Sequence, residues 1–308
     1  MILVTGGAGF IGSHLVRGLL ARGERVRILD NLSSGKRANI AGLDVEFEPA
    51  DLRDEAAVAA AVRGVDAVYH LAAVVSVPQT VADPATSHDV NVTGTYRLLE
   101  NARLAGVRRF IFSSSAAVYG DEPSLPKRET SPLAPRSPYA LHKLIGEQYL
   151  KLYADLYGMD TMSFRYFNVF GPRQDPLGAY AAAIPKFVEA MAAGVSPTIF
   201  GDGRQTRDFV FVEDVVAANL AALKAERPAG RVINVAGGRR IDLLELLGAL
   251  ETVFQREAKP VFAAPRPGDV RHSVAATDEA AAYLGFHPRT SLTEGLAQTV
   301  RWMLQSGG

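Results

Sequence analysis

The feature that most constrains the fold is a glycine-rich segment near the amino terminus, which lies between an apolar run and a helical pattern. Residues 2–5 predict a buried strand, and residues 10–22 predict a helix. The residues between them, 6–12, read Gly-Gly-Ala-Gly-Phe-Ile-Gly and fit both the G-x-G-x-x-G and the G-x-x-G-x-x-G spacing. Glycines let a backbone approach a pyrophosphate, whose charge the first N–H groups of a helix stabilise. The order strand, glycine turn, helix therefore predicts a dinucleotide-binding unit.

An acidic residue supports this interpretation and indicates which dinucleotide binds. Asp30 ends the next predicted strand, residues 25–30, where a carboxylate can accept both hydrogen bonds of an adenosine ribose diol. A ribose 2′-phosphate at that place would meet a like charge, so we expect NAD rather than NADP. The alternative is a structural glycine turn beside a surface aspartate.

The rest of the first half alternates short apolar runs with helical stretches, which predicts a doubly wound parallel sheet. Further strands are expected at 45–48, 67–71, 109–113 and 161–166, and helices at 54–62, 84–105 and 137–157. We expect the helix at 54–62 to be capped near Asp51. Beyond Asn168 prolines and glycines break the pattern, until 209–212, 213–224 and 232–235 predict its return. Helices are also expected at 243–254 and 292–304.

The fold class that follows is α/β: a Rossmann-type doubly wound parallel sheet with a smaller, discontinuous α/β domain. The larger domain is expected to comprise residues 1–167 plus about 209–236. The smaller one is expected to comprise about 168–208 plus 237–308.

Charge and cysteine content exclude several classes of function. The 308 residues include 33 basic and 33 acidic side chains and no cysteine. Zero net charge argues against a nucleic-acid or anionic-membrane partner. The absence of cysteine excludes disulfides, thiolate zinc sites and iron–sulfur clusters, and the six histidines lack metal-ligand spacing, so no metal is expected. No apolar run approaches the roughly 18 residues that span a bilayer. We expect a cytoplasmic protein with no membrane or nucleic-acid partner.

A tyrosine and a lysine stand four residues apart in the predicted helix at 137–157. This spacing places Tyr139 and Lys143 on one helical face. A phenol has a reference pKa of about 10, and a nearby ammonium or a cationic nicotinamide ring would lower that pKa. Such pairs are also common on ordinary amphipathic helices. Serines at 113–115, however, follow the fifth predicted strand at the sheet edge where doubly wound folds bind ligands.

Together these motifs resemble the extended short-chain dehydrogenase/reductases, and specifically the NAD-dependent nucleotide-sugar epimerase/dehydratase family. The resemblance covers essentially the whole chain. The matching motifs, in order, are the glycine turn, Asp30-Asn31-Leu32, Asp51-Leu52, His70-Leu71-Ala72-Ala73, Asn91-Val92-Thr93-Gly94-Thr95, the serine segment with Tyr139 and Lys143, Arg165-Tyr166-Phe167-Asn168, Gly201-Asp202-Gly203, Thr206-Arg207-Asp208-Phe209 and Arg266-Pro267-Gly268-Asp269. The resemblance implies that the larger domain binds NAD and the smaller one binds a nucleotide sugar.

The family's residue roles transfer to matching positions. The resemblance implies that Tyr139 is the general base, that Lys143 binds the nicotinamide ribose and lowers the tyrosine pKa, and that Ser115 positions the reacting hydroxyl. Cofactor contacts are implied for Gly6, Gly9, Phe10, Ile11, Gly12, Asp30, Asn31, Asp51, Leu52, Leu71, Ala72, Ala73 and Tyr166, besides Tyr139 and Lys143. Contacts to the substrate diphosphate are implied for Asn168, Arg207, Arg266 and Asp269. The arginines suit this role because guanidinium groups pair well with phosphate oxygens.

The residues after Ser115 indicate which reaction of the family to expect. Family dehydratases and decarboxylases carry an acidic residue there, whereas this chain has Ala116 and Ala117. The resemblance therefore implies a 4-epimerase of UDP-hexoses, with UDP-glucose and UDP-galactose as the leading pair. The alternatives are a nucleotide-sugar dehydratase or decarboxylase, and a non-catalytic dinucleotide-binding protein.

Two further expectations come from the resemblance. Ser273 matches the position where some family members that are restricted to non-acetylated sugars carry a tyrosine, so a serine should leave room for a 2-acetamido group. Alternatively, another side chain closes the pocket. The two long helices at 84–105 and 137–157 correspond to the family's dimer interface, which implies a homodimer.

Overall fold

A computed structural model describes residues 1–175, 183–265 and 271–306. Its strands are β1 Ile2–Thr5, β2 Val26–Leu29, β3 Glu46–Glu48, β4 Ala67–His70, β5 Arg109–Ser115, β6 Asp160–Tyr166, β7 Asn168–Phe170, β8 Thr198–Phe200, β9 Thr206–Arg207, β10 Phe209–Phe211, β11 Arg231–Val235, β12 Ile241–Asp242 and β13 Val261–Ala263. Its helices are α1 Phe10–Leu20, α2 Glu55–Ala61, α3 Val77–Ala82, α4 Pro84–His88, α5 Gly94–Leu104, α6 Pro138–Tyr157, α7 Ala183–Ala192, α8 Val212–Ala222, α9 Leu243–Phe254, α10 Asp278–Leu284 and α11 Leu292–Ser306.

The predicted doubly wound sheet is confirmed. Seven strands pair in the order β11-β6-β5-β4-β1-β2-β3, and every neighbouring pair is parallel. The chain runs outward from β1 through β2 to β3, then crosses to β4 on the other side of β1. In open parallel sheets this change of direction creates a crevice at the carboxyl ends of the strands, where ligands bind.

The sheet is covered on both faces because its strand residues alternate between two apolar clusters. Val4 and Ile28 belong to the cluster that includes side chains of α1 and α8. Leu3 and Leu29, one position away, belong to the cluster that includes α2, α5 and α6. A separate apolar cluster joins α7, α9 and α11 to β7 and β10.

Three details differ from the sequence predictions. The strand Phe209–Phe211 does not rejoin the large sheet but pairs in parallel with β7 in a sheet of its own. The helix predicted over 84–105 is interrupted by one π-helical turn, Asp89–Thr93, between α4 and α5. The cap of α2 is Asp54, whose side chain accepts from the backbone N–H of Ala57, because Asp51 is occupied by Arg53 and Asn31.

Within residues 1–175, 183–265 and 271–306, no helix is both long enough and apolar enough to cross a membrane.

Candidate active site

The glycine turn brings the start of α1 close against the end of β1. Gly6 has a φ of +69°, which favours glycine, and a Cβ there would lie 2.8 Å from the backbone nitrogen of Ala72. A Cβ at Gly12 would lie 2.1 Å from the carbonyl oxygen of Gly6. Side chains at these two positions would fill the turn. Because glycine has none, a pyrophosphate could approach the backbone N–H groups at the start of the helix.

Asp30 lies beside this turn with a defined orientation. Its side chain is buried, and its Oδ2 accepts from the backbone nitrogen of Ala8 at 2.9 Å while Oδ1 accepts from that of Leu32 at 2.8 Å. A carboxylate has about four acceptor sites, so each oxygen retains capacity for a ribose hydroxyl. Next along the edge, Asn31 donates to Asp51 at 2.7 Å. The Arg53 side chain, followed by that of Asn31, lowers the pKa of Asp51 against the effect of burial.

The segment after β4 is anchored to the glycine turn by a chain of hydrogen bonds that begins at Thr5. The backbone N–H of Ala72 donates to Thr5 Oγ1, which also contacts His70 Nδ1 at 2.7 Å. On its other side, His70 Nε2 contacts Thr95 Oγ1, whose own proton goes to the carbonyl of Asn91. Burial lowers the pKa of His70 to about 3, so the ring stays neutral. These bonds hold Leu71 to Ala73 over the turn.

This role of Thr5, Thr95 and Asn91 is not among the sequence predictions. The Asn91 side chain also binds both the backbone N–H and the carbonyl of Val74, at 2.7 and 2.9 Å. This role of Asn91 could not be predicted because the residue lies on the π-helical turn, and apolar periodicity does not reveal a π turn. Leu52, assigned to the cofactor by resemblance, is buried and packs against Gly94 on α5.

The three residues assigned to catalysis meet at the carboxyl end of β5. The hydroxyl of Ser115 lies close enough to Tyr139 to favour its ionised form, and Ser115 Oγ accepts from the backbone N–H of Ala117 at 3.2 Å. Lys143 is buried, donates through Nζ to the carbonyl of Ser113 at 2.7 Å, and lies 5.8 Å from the centre of the Tyr139 ring.

Burial acts against the ionisation that base catalysis needs. Burial raises the pKa of Tyr139, and the nearby hydroxyl of Ser115 lowers it in part. Burial also lowers the pKa of Lys143 to about 7. A phenolate at Tyr139 therefore needs further positive charge nearby, which the cationic form of Lys143 and a nicotinamide ring together would provide.

The residues assigned to the substrate converge on β9. Asn168 Nδ2 donates to the carbonyl of Asp208 at 2.9 Å, and the Arg207 side chain contacts the carbonyl of Thr206. The backbone N–H of Ser273 donates to the same Thr206 carbonyl at 3.1 Å. Arg266 and Asp269 lie outside the described residues.

Tyr166 is placed differently from its neighbours in the motif. It is buried at the end of β6, and its hydroxyl exchanges hydrogen bonds with the side-chain amide of Asn219 on α8, at 3.0 and 2.8 Å. The phenol is therefore engaged on the α8 side of the sheet, and any contact with the nicotinamide would come from its ring or backbone.

A buried carboxylate that the sequence analysis did not single out organises the substrate side. Asp208 is fully buried and accepts from the backbone N–H groups of Gly237, Gly238 and Ala275 at 2.8 to 3.2 Å. Burial raises its pKa to about 6, against these hydrogen bonds. Asp208 thus ties β9 to the loop after β11 and to the segment that carries Ser273. The sequence feature that could have identified Asp208 is its place in the Thr206–Phe209 motif.

A cleft of about 560 Å³ opens next to this region, at the carboxyl ends of the paired strands β8 and β13. Phe200, Phe262 and Pro265 supply apolar walls, and Arg271 stands at its edge, paired with Asp202 at 2.7 Å. The backbone of Arg271 accepts from Thr206, so the cleft is continuous with the residues around β9. Apolar walls beside a few polar groups are typical of small-molecule sites.

Comparison with solved structures shows the same architecture bound to nucleotide sugars. UDP-glucose 4-epimerase from Thermotoga maritima, determined with UDP-glucose, is 40% identical to this chain and has a TM-score of 0.94. The match covers 100% of this chain and 99% of the epimerase chain. UDP-N-acetylglucosamine 4-epimerase from Methanobrevibacter ruminantium, determined with UDP-N-acetylmuramic acid, is 39% identical with a TM-score of 0.95. That match covers 99% of this chain and 98% of the other.

Sequence comparison gives the same assignment. UDP-glucose 4-epimerase of Mycolicibacterium smegmatis is 44% identical over 313 residues, covering 97% of both chains. Residues 2–236 match the profile of the NAD dependent epimerase/dehydratase family. The chain therefore belongs to the NAD dependent epimerase/dehydratase family, and NAD is its cofactor.

Proposed function

We propose that the protein is an NAD-dependent UDP-hexose 4-epimerase that interconverts UDP-glucose and UDP-galactose by transient oxidation at C4. The observation that carries this proposal is the contact between Ser115 and Tyr139, with Lys143 beside them, at the ligand-binding edge of the sheet. Full-length relatives that are named UDP-glucose 4-epimerases support the substrate class.

In this mechanism the glycine turn and Asp30 hold the cofactor, and the residues around β9 hold the diphosphate of the sugar. When bound, NAD supplies a reversible two-electron acceptor for the sugar carbon. Tyr139 takes the proton of the C4 hydroxyl and later returns it, while Ser115 orients that hydroxyl by hydrogen bonding. Lys143 favours the phenolate through its charge. Arg207 pairs with the diphosphate, and Phe200 and Phe262 line the cleft for the uracil base.

Dehydratase and decarboxylase activities are disfavoured by the turn that follows Ser115. Ala116 and Ala117 begin a 3₁₀ turn, Ala116–Tyr119, and have no side chain able to move a proton at a neighbouring carbon. The deciding experiment is incubation of the purified protein with UDP-glucose, followed by proton NMR. We expect UDP-galactose to form with no change in redox state. A 4-keto-6-deoxy sugar would instead assign the dehydratase alternative, and a pentose formed in a parallel incubation with UDP-glucuronate would assign the decarboxylase.

We expect NAD to bind at least about tenfold more tightly than NADP, because Asp30 would repel a 2′-phosphate. Isothermal titration of the two cofactors measures the ratio. Asp30→Asn should narrow it, since the amide carries no charge. Equal affinities in the unchanged protein, or tighter binding of NADP, would contradict this assignment of Asp30.

We further propose that the small side chain of Ser273 admits the 2-acetamido group of UDP-N-acetylhexosamines. The backbone contact of Ser273 with Thr206 places it beside the other assigned substrate residues. Ser273→Tyr should reduce turnover of UDP-N-acetylglucosamine at least about tenfold relative to UDP-glucose, because the ring would occupy that space. An unchanged ratio of the two kcat/KM values would show that another side chain limits the pocket.

We propose that the protein is a homodimer, because α5 and α6 present an apolar surface that nothing covers in the described part of the chain. Tyr96, Leu104, Leu141, Leu152 and Leu156 on these two helices are 44% to 68% exposed. Light scattering at micromolar concentration should give twice the mass of one chain. Leu156→Glu should shift the equilibrium to monomer, because it places a charge in the buried contact. A monomeric wild-type protein would overturn this proposal.

A further inference from the structure

Three consecutive serines at the end of β5 each contact a different residue on one face of α6. The carbonyl of residue 113 accepts from Lys143, and the hydroxyl of residue 115 lies close enough to Tyr139 to favour its ionised form. Between them, the hydroxyl of Ser114 donates to Oε1 of Glu147. The helix residues are spaced by four, so they form one row along the helix. Two of the three contacts involve residues that we assign to catalysis, and the third involves a carboxylate that has no part in the proposed mechanism.

Glu147 is held at this point by a second strand as well. Arg165 on β6 binds both of its oxygens, with Nη2 to Oε2 at 2.7 Å and Nε to Oε1 at 3.0 Å. The side chains of Glu147 and Arg165 are only 1% and 3% exposed. Ser114 and Arg165 are direct neighbours in the register of β5 and β6. One carboxylate of α6 is thus fixed to adjacent strands at a single level of the sheet.

The Glu147–Arg165 pair is also linked to the turn that follows Ser115 in the chain. Arg165 Nη1 donates to the hydroxyl of Tyr119 at 2.9 Å, and Tyr119 ends the 3₁₀ turn that begins directly after Ser115. Tyr119 in turn donates to the side chain of Asn234 on β11 at 2.7 Å. Ser115 is therefore bracketed in the chain by Ser114 and Tyr119, both of which are bonded to the Glu147–Arg165 pair.

We propose that Glu147, bound by Ser114 and Arg165, is a positioning residue that fixes the register of α6 on the sheet and thereby the approach of Tyr139 to Ser115. Other contacts of α6 with β5 are apolar, such as Phe112 against Gly146. Apolar packing is non-directional and tolerates small displacements along a helix, whereas a bidentate guanidinium–carboxylate pair has a narrow geometry. Misplacement of a reacting group by about 1 Å can cost about 10²-fold in rate.

The test is Ser114→Ala, which removes one hydrogen bond and leaves the Glu147–Arg165 pair in place. We expect kcat to fall about tenfold with KM changed by less than about twofold, because the variant alters geometry at the reacting atoms and leaves the binding surface intact. The pKa of Tyr139 should rise by about one unit, since a weaker Ser115 contact removes stabilisation of the phenolate. The titration is read from the ultraviolet absorbance of the phenolate in the NAD-bound protein, with Tyr139→Phe as the blank.

Thr161→Val is the matched control. The Thr161 hydroxyl donates to the carbonyl of Leu150, so it also joins β6 to α6 and is also buried, but it lies farther along the helix from Tyr139. This variant should lower the melting temperature about as much as Ser114→Ala and leave kcat and the Tyr139 titration unchanged. Equal losses of kcat in both variants would show a general loosening of the helix and overturn the proposal. Wild-type kcat and titration in Ser114→Ala would overturn it too.

The kinetic readout rests on the proposed function, whereas the titration does not. If the wild-type protein fails to epimerise UDP-glucose, the proposed function fails, and the Tyr139 titration of Ser114→Ala still tests the role of Glu147 without any sugar. The groups that face Tyr139 and Lys143 and could perturb this titration are Ser115 on β5, His70 on β4 and His142 on α6. Neither Ser114→Ala nor Thr161→Val substitutes any of the three.

Discussion

Tyr139→Phe is expected to retain NAD and to lose turnover by roughly 10²- to 10⁴-fold, the range that general acid–base catalysis contributes. The substitution removes only the phenolic oxygen, so the ring still packs and Lys143 still donates to the carbonyl of Ser113. We propose that the glycine turn and Asp30 hold the cofactor, and this change touches neither. The loss should therefore fall on kcat, with KM for UDP-glucose altered much less.

The measurement is the rate of UDP-galactose formation by proton NMR, together with the NAD content of the purified variant. Tyr283→Phe is a suitable control, because Tyr283 also has a hydrogen-bonded hydroxyl, which donates to the carbonyl of Glu226, but lies on α10. That control should keep wild-type turnover. Turnover close to wild type in Tyr139→Phe would remove Tyr139 from the role of base.

Lys143→Met is expected to have opposite effects on stability and on activity. Turnover should fall by about 10²-fold or more, because the phenolate at Tyr139 loses its cationic neighbour, and NAD should bind more weakly. The folded protein without NAD should nevertheless melt at a higher temperature at neutral pH. The reason is that burial lowers the pKa of Lys143 from 10.5 to about 7. The charged ammonium is therefore less stable in the folded chain than in the unfolded chain.

The sign of the pH dependence follows from the same shift. Between pH 7 and pH 10.5 the unfolded chain binds a proton at Lys143 that the folded chain has largely released. The wild-type protein should therefore gain up to about 1.4 kcal/mol of stability per pH unit relative to Lys143→Met as the pH rises through this range. Subtracting the variant's free energy of unfolding from that of the wild type at each pH cancels the contributions of the other titrating groups. A flat difference would show that Lys143 keeps its ordinary pKa in the folded protein.

Several elements could be predicted because their signals are local. The helix predicted at 243–254 has the bounds of α9, since Asp242 and Glu245 form a capping box that marks its start. The run at 209–212 predicted a strand correctly, but not its partner, because pairing with β7 depends on residues some forty positions earlier. The π-helical turn around Asn91 was missed for a similar reason, since the bonds of Asn91 to Val74 are formed only in the fold.

The sequence by itself determined the parallel sheet, the dinucleotide turn and the placement of Tyr139 and Lys143 on one helical face, because each depends on spacing along a short stretch of chain. Only the tertiary structure decided that Ser115 meets Tyr139, that Lys143 is buried enough to shift its pKa, and that Glu147 is clamped between Ser114 and Arg165. These facts depend on which strands are neighbours and on how much water the packed layers exclude. Both are properties of contacts between distant residues, so no local pattern contains them.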